Sequence, residues 1–284
     1  MARAKSANSI AFQGEIGSYS HLACKARFPR LTPLPCPTFE DAINAVHDSK
    51  AAMAMIAVDN SVAGRVADVH HLLPGSGLKI VGEHFQAVHH HLLAIEGATL
   101  KTIKTAESHV HALSQVRKFL RRHKIKAVVA LDTAGAARDI AARNDRSVAA
   151  VASEIAGKTY GLTSLAADIE DEKHNTTRFL VMAREPSMPN ARGRNVTSMV
   201  FRLKSVPAAL YKALGGFATS GINLTKLESY MIGGFFKTVE FYAEVEGHPA
   251  NAAFKHALMD LKLYSERIEF LGTYPADPFR FKGR

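Results

Sequence analysis

The chain has 284 residues, 47% apolar and 22% charged, a composition typical of a globular protein with about two domains at roughly 150 residues each. The longest apolar run, residues 51–58, is far shorter than the ~20 residues of a membrane-spanning helix, and the first residues do not form the apolar stretch of a secretory signal. The 2 cysteines are too few for a disulfide framework and fit a reducing cytoplasm.

The charge balance is strongly basic, with 36 Lys and Arg against 26 Asp and Glu and a net charge of +10. Such an excess indicates either a solvated basic surface or the binding of an anion, which would be a nucleic acid or a small polyacid. The basic residues are spread along the chain, and the densest run, at 117–126, has helical spacing. Because the chain has no Trp and no aromatic-rich basic strand, a nucleic-acid stacking platform is disfavoured.

Short apolar strands alternate with amphipathic helices as far as residue 183, which predicts an α/β fold with mostly parallel sheets. Thr38 and Asp41 form a predicted capping box, and Ser108 and Thr133 are predicted N-caps. Ligands of such sheets lie at the carboxyl ends of the strands. The predicted strands are 9–13, 52–58, 78–83, 87–95, 101–106, 127–131, 148–151 and 177–183. The predicted helices are 18–28, 39–47, 65–73, 108–122 and 153–160, with one more after Thr133.

The pattern changes after residues 185–195, where two prolines, a glycine and the loss of apolar periodicity indicate a linker. Beyond it the predicted order is βαββαβ, which is the ferredoxin-like order. Gly233 and Gly234 join its two middle strands. The predicted strands are 197–203, 224–231, 238–244 and 267–273, and the predicted helices are 208–220 and 251–261.

Several polar loops follow predicted strands. Residues 14–20 (GEIGSYS) lead into a helix, and their glycines permit close backbone approach to an anion, although they match neither the dinucleotide nor the Walker A pattern. Residues 59–61 (DNS) can hydrogen-bond a small molecule or form an Asx-turn. Residues 108–111 (SHVH) and 133–135 (TAG) occupy further strand-to-helix positions.

Residues 175–179 (NTTRF) enter the last strand of the first region. Arg178 offers a planar fork suited to a carboxylate, and Thr177 offers a hydroxyl. Regular strand alternation would place these two side chains on opposite faces, so they converge on one ligand only at an irregular strand entrance. An ordinary strand threonine is the alternative interpretation.

Histidines at 70–71 and 89–91 raise the question of a metal site. A tandem run in a strand points alternate side chains to opposite faces, and no Cys pair or HExxH pattern accompanies it, so a structural role is favoured. Cys24 and Cys36 lack the sequence context of a nucleophile.

Taken together, these motifs resemble those of prephenate dehydratases along nearly the whole chain. The resemblance is carried by N-x-T-R-F at 175–179 after YGL at 160–162, G-x-x-G-S/T-x-S at 14–20, an acidic-N-S loop at 59–61 followed by Gly64, S-H-x-x-A-L at 108–113 and T-A-x-A-A at 133–137. Residues 206–210 (VPAAL), 221–224 (GINL) and 227–229 (LES) resemble the ACT regulatory domain of that family.

The resemblance implies a catalytic domain at 1–184, with two α/β lobes around a cleft as in periplasmic binding proteins, then the linker at 185–195 and an ACT domain with its tail at 196–284. It implies that prephenate is converted to phenylpyruvate, water and CO2 in the cytoplasm, in phenylalanine biosynthesis, with no cofactor and no metal. The implied partners are the substrate prephenate and the effector L-phenylalanine in a homodimer or homotetramer, with neither nucleic acid nor membrane.

The resemblance also implies residue roles. Arg178 would anchor a carboxylate and Thr177 would donate a hydrogen bond to the departing hydroxyl. The further donors implied are Asn60, Ser61, Ser108 and Thr133. The other substrate-binding residues implied are Gly17, Ser18, Asp59, Ala134 and Phe179. The effector-binding residues implied are Ala208, Ala209, Leu210, Asn223, Leu224, Glu228 and Ser229.

The chain departs from the common family pattern at several positions. Asp59 replaces Glu, residues 110–111 replace Pro-Gln, Ala208 replaces Gly, and residues 230–231 replace Arg-Pro. The last two departures fall in the effector site and leave the strength of feedback inhibition open. Arogenate dehydratase and a non-catalytic amino-acid sensor are the alternative functions, and the intact triplet at 177–179 argues against the sensor.

Overall fold

The computed structural model describes residues 8–66, 69–231 and 239–282. These residues form two compact units, the first made of 8–66 with 84–179 and the second of 69–83 with 180–282. The second unit therefore begins ahead of the expected linker and also takes in a segment of the expected first domain. Every helix in the described ranges falls short of the length and hydropathy that a transmembrane span requires.

The first sheet has the strand order β2-β1-β3-β11-β5, with β4 also pairing with β3. Its strands are β1 (Ser9–Gln13), β2 (Thr32–Cys36), β3 (Met53–Asn60), β4 (Gly64–Arg65), β5 (Lys79–Ala87) and β11 (Thr176–Ala183). Strand β1 pairs in parallel with both β2 and β3. The sequence interpretation missed β2 because of Pro33 and Pro35. Strand β2 lies at the end of the sheet, and residues two positions apart in a strand direct their N–H groups to the same edge. Both prolines therefore lack an N–H on the outer edge of β2, where no other strand of this sheet pairs.

The second sheet, whose strands all belong to the first unit, has the order β10-β6-β9-β7-β8. Its strands are β6 (His91–Ala94), β7 (Thr105–Ser108), β8 (Lys126–Val129), β9 (Val148–Ala152) and β10 (Thr163–Ala166). Strand β7 pairs in parallel with β8 and β9, whereas β6 is antiparallel to β9 and β10. Leu92 and Leu93 belong to two different buried clusters, so apolar layers cover both faces of this sheet.

The helices around these sheets follow the expected amphipathic pattern with several shifts in their ends. The helices before the C-terminal βαββαβ region are α1 (Tyr19–Arg27), α2 (Phe39–His47), α3 (Val69–Gly75), α4 (Val110–Ser114), α5 (Arg117–Arg122), α6 (Thr133–Arg143) and α7 (Glu154–Tyr160). The capping box of Thr38 and Asp41 is confirmed. The helix expected at 65–73 is wrong at its start, since Arg65 lies in β4. The strand expected at 87–95 is interrupted at 88–90, where the chain crosses from the first sheet to the second.

Two expected helix caps are wrong. His109 caps α4, because its Nδ1 accepts the His111 N–H, while Ser108 is still the last residue of β7. Asp132 caps α6, because its carboxylate accepts the Gly135 N–H and Thr133 is already helical. In both cases a neighbouring acceptor satisfies the first free backbone donors of the helix.

The C-terminal region has the expected βαββαβ order, with strands arranged β13-β14-β12-β15 and all pairs antiparallel. Its elements are β12 (Asn195–Leu203), α8 (Ala209–Thr219), β13 (Leu224–Met231), β14 (Val239–Glu246), α9 (Ala252–Tyr264) and β15 (Ser265–Pro275). Phe217 of α8 and Phe254 of α9 meet edge to face in a core that also buries Met199 and Val245 of the sheet. The expected Gly233-Gly234 connection lies outside the described residues.

Candidate active site

A cavity of about 550 Å³ lies in the first unit and takes side chains from both of its sheets. Residues on β3, β4 and β11 of the first sheet line one side of the cavity. Residues at the starts of the helices that follow strands of the second sheet also line it, as expected for ligand sites at the edges of α/β sheets. The polar residues that line the cavity include Gln13, Tyr19, Thr38, Asn60, Arg65, His90, His109, His111, Gln115, Thr133 and Thr177.

Thr177 lies at the second position of β11 and lines the cavity. Its Oγ1 accepts a hydrogen bond from Asn60 Nδ2 at 3.1 Å. A hydroxyl carries one hydrogen of its own, so with its acceptor side occupied by Asn60 the Thr177 O–H can donate to a ligand in the cavity.

Asn60 belongs to a ring of three side-chain amides beside Thr177, which we call the amide ring (Asn60, Gln115 and Asn175). Asn60 donates to Asn175 Oδ1 at 2.8 Å, Asn175 donates to Gln115 Oε1 at 2.8 Å, and Gln115 donates to Asn60 Oδ1 at 3.3 Å. The N–H groups of Val62 and Ala63 also donate to Asn60 Oδ1, at 3.0 and 2.7 Å. These backbone bonds fix which end of the Asn60 amide faces Thr177.

Arg178 lies behind the cavity lining. Strand β11 already begins at Thr176, so regular alternation turns Arg178 away from the face that Thr177 presents. Its side chain is only 9% exposed, lies 3.6 Å from Asp59 Oδ2, and has its guanidinium 5.9 Å from the centre of the Phe85 ring. The carboxylate-anchoring role of Arg178 stays a prediction.

Of the other expected substrate-site residues in this part of the unit, Thr133 lines the cavity, whereas Ser61, Ser108, Ala134 and Phe179 lie outside its lining. Thr133 lines it as the first residue of α6, with Ala134 buried next to it. Ser61 donates to the His174 carbonyl at 2.7 Å and accepts the Thr176 N–H, which holds the entrance of β11. Ser108 is fully buried and donates to the carbonyl of Val151 in the neighbouring strand, and Phe179 is a core residue.

Gly17 and Ser18 shape the start of α1. Ser18 caps the helix by accepting the His21 N–H. Gly17 has a φ of +95°, and a Cβ placed there would lie 2.9 Å from the Cα of Ala156. Only glycine fits this approach of two backbones, because both the conformation and the space exclude a side chain. The roles of these residues toward the substrate stay predictions.

Several cavity-lining residues were not singled out from the sequence. Arg65 was assigned to a helix. His109 and His111 were noted at a helix start but not as site residues, and Gln115 was not noted. Burial and the nearby His111 lower the pKa of His109. Burial raises the pKa of Tyr19 well above its usual range, and the Glu170 carboxylate adds to that effect, so this hydroxyl keeps its proton.

His89, Asp168 and Glu170 are the described residues whose ligand atoms lie close enough to share a cation. His89 Nδ1 lies 3.1 Å from an oxygen of each carboxylate. As for nucleophilic thiols, burial raises the pKa of Cys24 to about 12, which keeps it in the unreactive thiol form.

The expected effector residues lie at the start of α8 and along β13. Ala208 precedes α8 with a left-handed φ of 58°, a conformation that glycine adopts without strain. Leu224 lines a cavity of about 430 Å³ on the second unit with Leu214 and Ile222. The remaining expected positions are Ala209 and Leu210 in α8, Asn223 just ahead of β13, and Glu228 and Ser229 within β13.

The chain is similar to known proteins in sequence and in structure. The sequence profile described as Prephenate dehydratase matches residues 10–187. A bifunctional N-acyl-homoserine lactone acylase/prephenate dehydratase of Komagataeibacter europaeus is 48% identical over 96% of this chain and 98% of its own. Arogenate dehydratase/prephenate dehydratase 2 of Arabidopsis thaliana is 38% identical over 94% of this chain and 73% of its own.

Among solved structures, a prephenate dehydratase of Arthrobacter aurescens in complex with L-Phe superposes with a TM-score of 0.86 at 28% identity. The superposition covers 94% of this chain and 90% of that one. The expected α/β fold is thereby confirmed.

Proposed function

The chain belongs to the prephenate dehydratase family, and from that premise and the cavity we propose that it converts prephenate to phenylpyruvate, water and CO2 in phenylalanine biosynthesis. The observation that carries the proposal is the Thr177 hydroxyl, whose acceptor side is occupied by Asn60 and whose hydrogen can serve a ligand. Aromatisation of the ring drives this reaction, so the protein chiefly has to fix geometry and help the hydroxyl depart.

Thr177 acts by hydrogen bonding to the departing hydroxyl. A threonine hydroxyl is far too weakly acidic to act as a simple general acid, because an efficient acid titrates near the working pH. Its contribution is that of a donor already held in place beside the leaving group, which needs no reorganisation as negative charge develops. Thr133, at the start of α6, supplies a second hydroxyl to the same cavity.

The two carboxylates of prephenate require cationic or strongly donating partners. Arg65 lines the cavity and is the residue we assign to direct carboxylate contact. Arg178 keeps the anchoring role expected from the sequence as a proposal, and its guanidinium lies 3.6 Å from Asp59 Oδ2 behind the cavity lining. His109 and His111, stacked 5.1 Å apart on the cavity wall, offer further ring N–H groups.

We assign regulation to the C-terminal βαββαβ region as an ACT domain that binds L-phenylalanine near 208–210 and 223–224. Its strand order and the L-Phe complex of the Arthrobacter relative support this assignment. In this proposal the effector binds between ACT domains of a homodimer or homotetramer in the cytoplasm, a location that the two free, buried thiols fit.

Two further substrates are suggested by the relatives. The name of the Arabidopsis protein includes arogenate, which carries an amino group in place of the keto group of prephenate. The name of the Komagataeibacter protein includes acylase activity on N-acyl-homoserine lactones, and its 48% identity over 96% of this chain makes that activity the second candidate function.

One set of assays tests these assignments. The purified chain is incubated in parallel with prephenate, arogenate and an N-acyl-homoserine lactone, and phenylpyruvate, phenylalanine and free homoserine lactone are quantified. We expect the highest kcat/KM with prephenate. No phenylpyruvate above the uncatalysed background would overturn the proposal, and lactone release alone would replace it with the acylase.

A further inference from the structure

His90 contacts the amide ring at Gln115, whereas Thr177 contacts it at Asn60. We propose that His90 is a positioning residue, which fixes the direction of the amide ring and thereby aims the Thr177 hydroxyl into the cavity. This inference rests on the proposed dehydration, since it concerns the rate of that reaction.

The position of His90 makes it a rigid support. It lies where the chain crosses between β5 and β6, and only 2% of the residue is exposed. Its backbone N–H donates to Glu170 Oε2 at 2.9 Å, so the main chain is held as well as the ring. The Glu170 side chain is itself 5% exposed, which leaves it little freedom to move.

The contact between His90 and Gln115 determines which imidazole nitrogen carries the proton. His90 Nε2 lies 2.8 Å from Gln115 Oε1, the oxygen that also accepts from Asn175 Nδ2. An amide oxygen only accepts, so His90 must donate from Nε2. Burial lowers the pKa of His90, so the ring is neutral with its one proton on Nε2.

Tyr19 occupies the other side of the imidazole. Its hydroxyl lies 3.0 Å from His90 Nδ1 and donates to the His89 carbonyl at 2.6 Å. Because burial raises the pKa of Tyr19, this hydroxyl stays protonated and faces a nitrogen without a hydrogen. Its single hydrogen, given to the His89 carbonyl, cannot serve Nδ1 at the same time, so Tyr19 packs against the imidazole without selecting its tautomer, which Gln115 sets.

The consequence is a fixed direction for all three amides. Without the His90 donor, the Gln115 oxygen keeps only one of its two donors, Asn175 Nδ2, so the orientation of the Gln115 amide is held less firmly. A turned Gln115 places its oxygen against Asn60 Oδ1, which the Val62 and Ala63 N–H groups hold in place. The ring then opens, and Asn60 no longer holds the acceptor side of Thr177 as firmly. We expect the chemical step to slow while substrate binding is retained.

Three variants test this role. His90→Leu removes the donor, His90→Gln places an amide N–H near the Nε2 position, and His91→Leu is the matched control, because His91 bonds Ser164 outside the amide ring. We expect His90→Leu to lower kcat by about 10- to 100-fold, the effect of losing an orienting partner in other sites, with KM nearly unchanged. His90→Gln should recover most of that loss, and His91→Leu should keep the wild-type kcat.

A double variant shows whether His90 acts through Gln115. Gln115→Met alone should lower kcat, and adding His90→Leu should lower it little further, because the amide ring is already open. Three outcomes would overturn the proposal: a wild-type kcat in His90→Leu, a loss in His90→Gln as large as in His90→Leu, or multiplicative losses in the double variant.

A measurement that does not depend on turnover tests the role of His90 independently of the proposed dehydratase activity. Hydrogen exchange of the Asn60 and Gln115 side-chain amides, followed by NMR, should be slow in the wild type, His90→Gln and His91→Leu, and faster in His90→Leu. Equal exchange in His90→Leu and the wild type would overturn the role of His90 whatever the substrate. Slow wild-type exchange without any turnover of prephenate would overturn only the proposed function.

Discussion

The two units each bury a polar network, and the two networks differ in charge and in where their bonds lead. The amide ring of the first unit is neutral, and from Asn60 one further bond reaches Thr177 at the cavity wall. In the second unit Arg280 donates to both oxygens of Glu83 at 2.6 and 2.8 Å and to Glu244 at 3.0 Å, while Tyr242 donates to Glu244 at 2.7 Å. We call the two carboxylates and the guanidinium the charged cluster (Glu83, Glu244 and Arg280).

The two networks differ in whether their hydrogen bonds lead to a ligand cavity or stay within the packed interior. In the charged cluster the carboxylates are 0% and 1% exposed, and the bonds run among side chains of the same unit. It ties the C-terminal turn at Pro278–Phe281 to β5 and β14. The amide ring instead directs one hydroxyl toward a cavity, so losses there should appear in rate, whereas losses in the charged cluster should appear in stability.

The largest expected effect on stability comes from breaking the charged cluster. Arg280→Met removes the guanidinium that bonds both buried carboxylates, and removing one partner of a buried ion pair costs about 3–5 kcal/mol of unfolding free energy. The matched control is Arg267→Met, whose 59% exposed side chain pairs with Glu269 and should cost less than about 1 kcal/mol. Denaturant unfolding measures both variants. Equal losses would contradict the assignment of the charged cluster to stability.

Substitution of two arginines tests which of them contacts a carboxylate of the substrate. Arg65→Ala should raise KM for prephenate about tenfold, equivalent to ~1.4 kcal/mol, with little change in unfolding free energy because Arg65 is exposed. Arg178→Lys should also raise KM, since a point charge replaces a fork, but should lower stability as well because Arg178 is buried against Asp59. A wild-type KM in Arg65→Ala would rule out direct contact by Arg65, and unchanged kinetic constants in Arg178→Lys would rule out anchoring by Arg178.

The smallest expected effect concerns the backbone at the start of α8. Ala208→Gly should raise the unfolding free energy by about 0.5–1 kcal/mol, because glycine adopts the left-handed φ of 58° without strain. Ala218→Gly, in the same helix but with helical conformation and an exposed side chain, should instead lower it by about 1 kcal/mol. Thermal unfolding of the two variants gives the sign directly. A loss of stability in Ala208→Gly would contradict the strain at this position.

The sequence was most informative where one segment decides the structure. The βαββαβ order, the Thr38 capping box and the strand bearing Thr177 all follow from local periodicity or capping. The amide ring did not, because Asn60, Gln115 and Asn175 come from three distant segments and a lone amide has no periodic signature. Ser108 was misjudged for a related reason: its hydroxyl bonds a neighbouring strand, Val151, rather than the helix that follows it.

The kcat of Thr177→Ala, measured beside that of Thr176→Ala, tests whether the Thr177 hydroxyl assists departure of the substrate hydroxyl. Both variants remove a threonine hydroxyl at the entrance of β11, but only Thr177 lines the cavity and accepts from Asn60. We expect a loss of at least about 100-fold in kcat for phenylpyruvate formation in Thr177→Ala, with an unchanged unfolding midpoint, and a nearly wild-type rate in Thr176→Ala. A near-wild-type rate in Thr177→Ala, or equal losses in the two variants, would contradict this role.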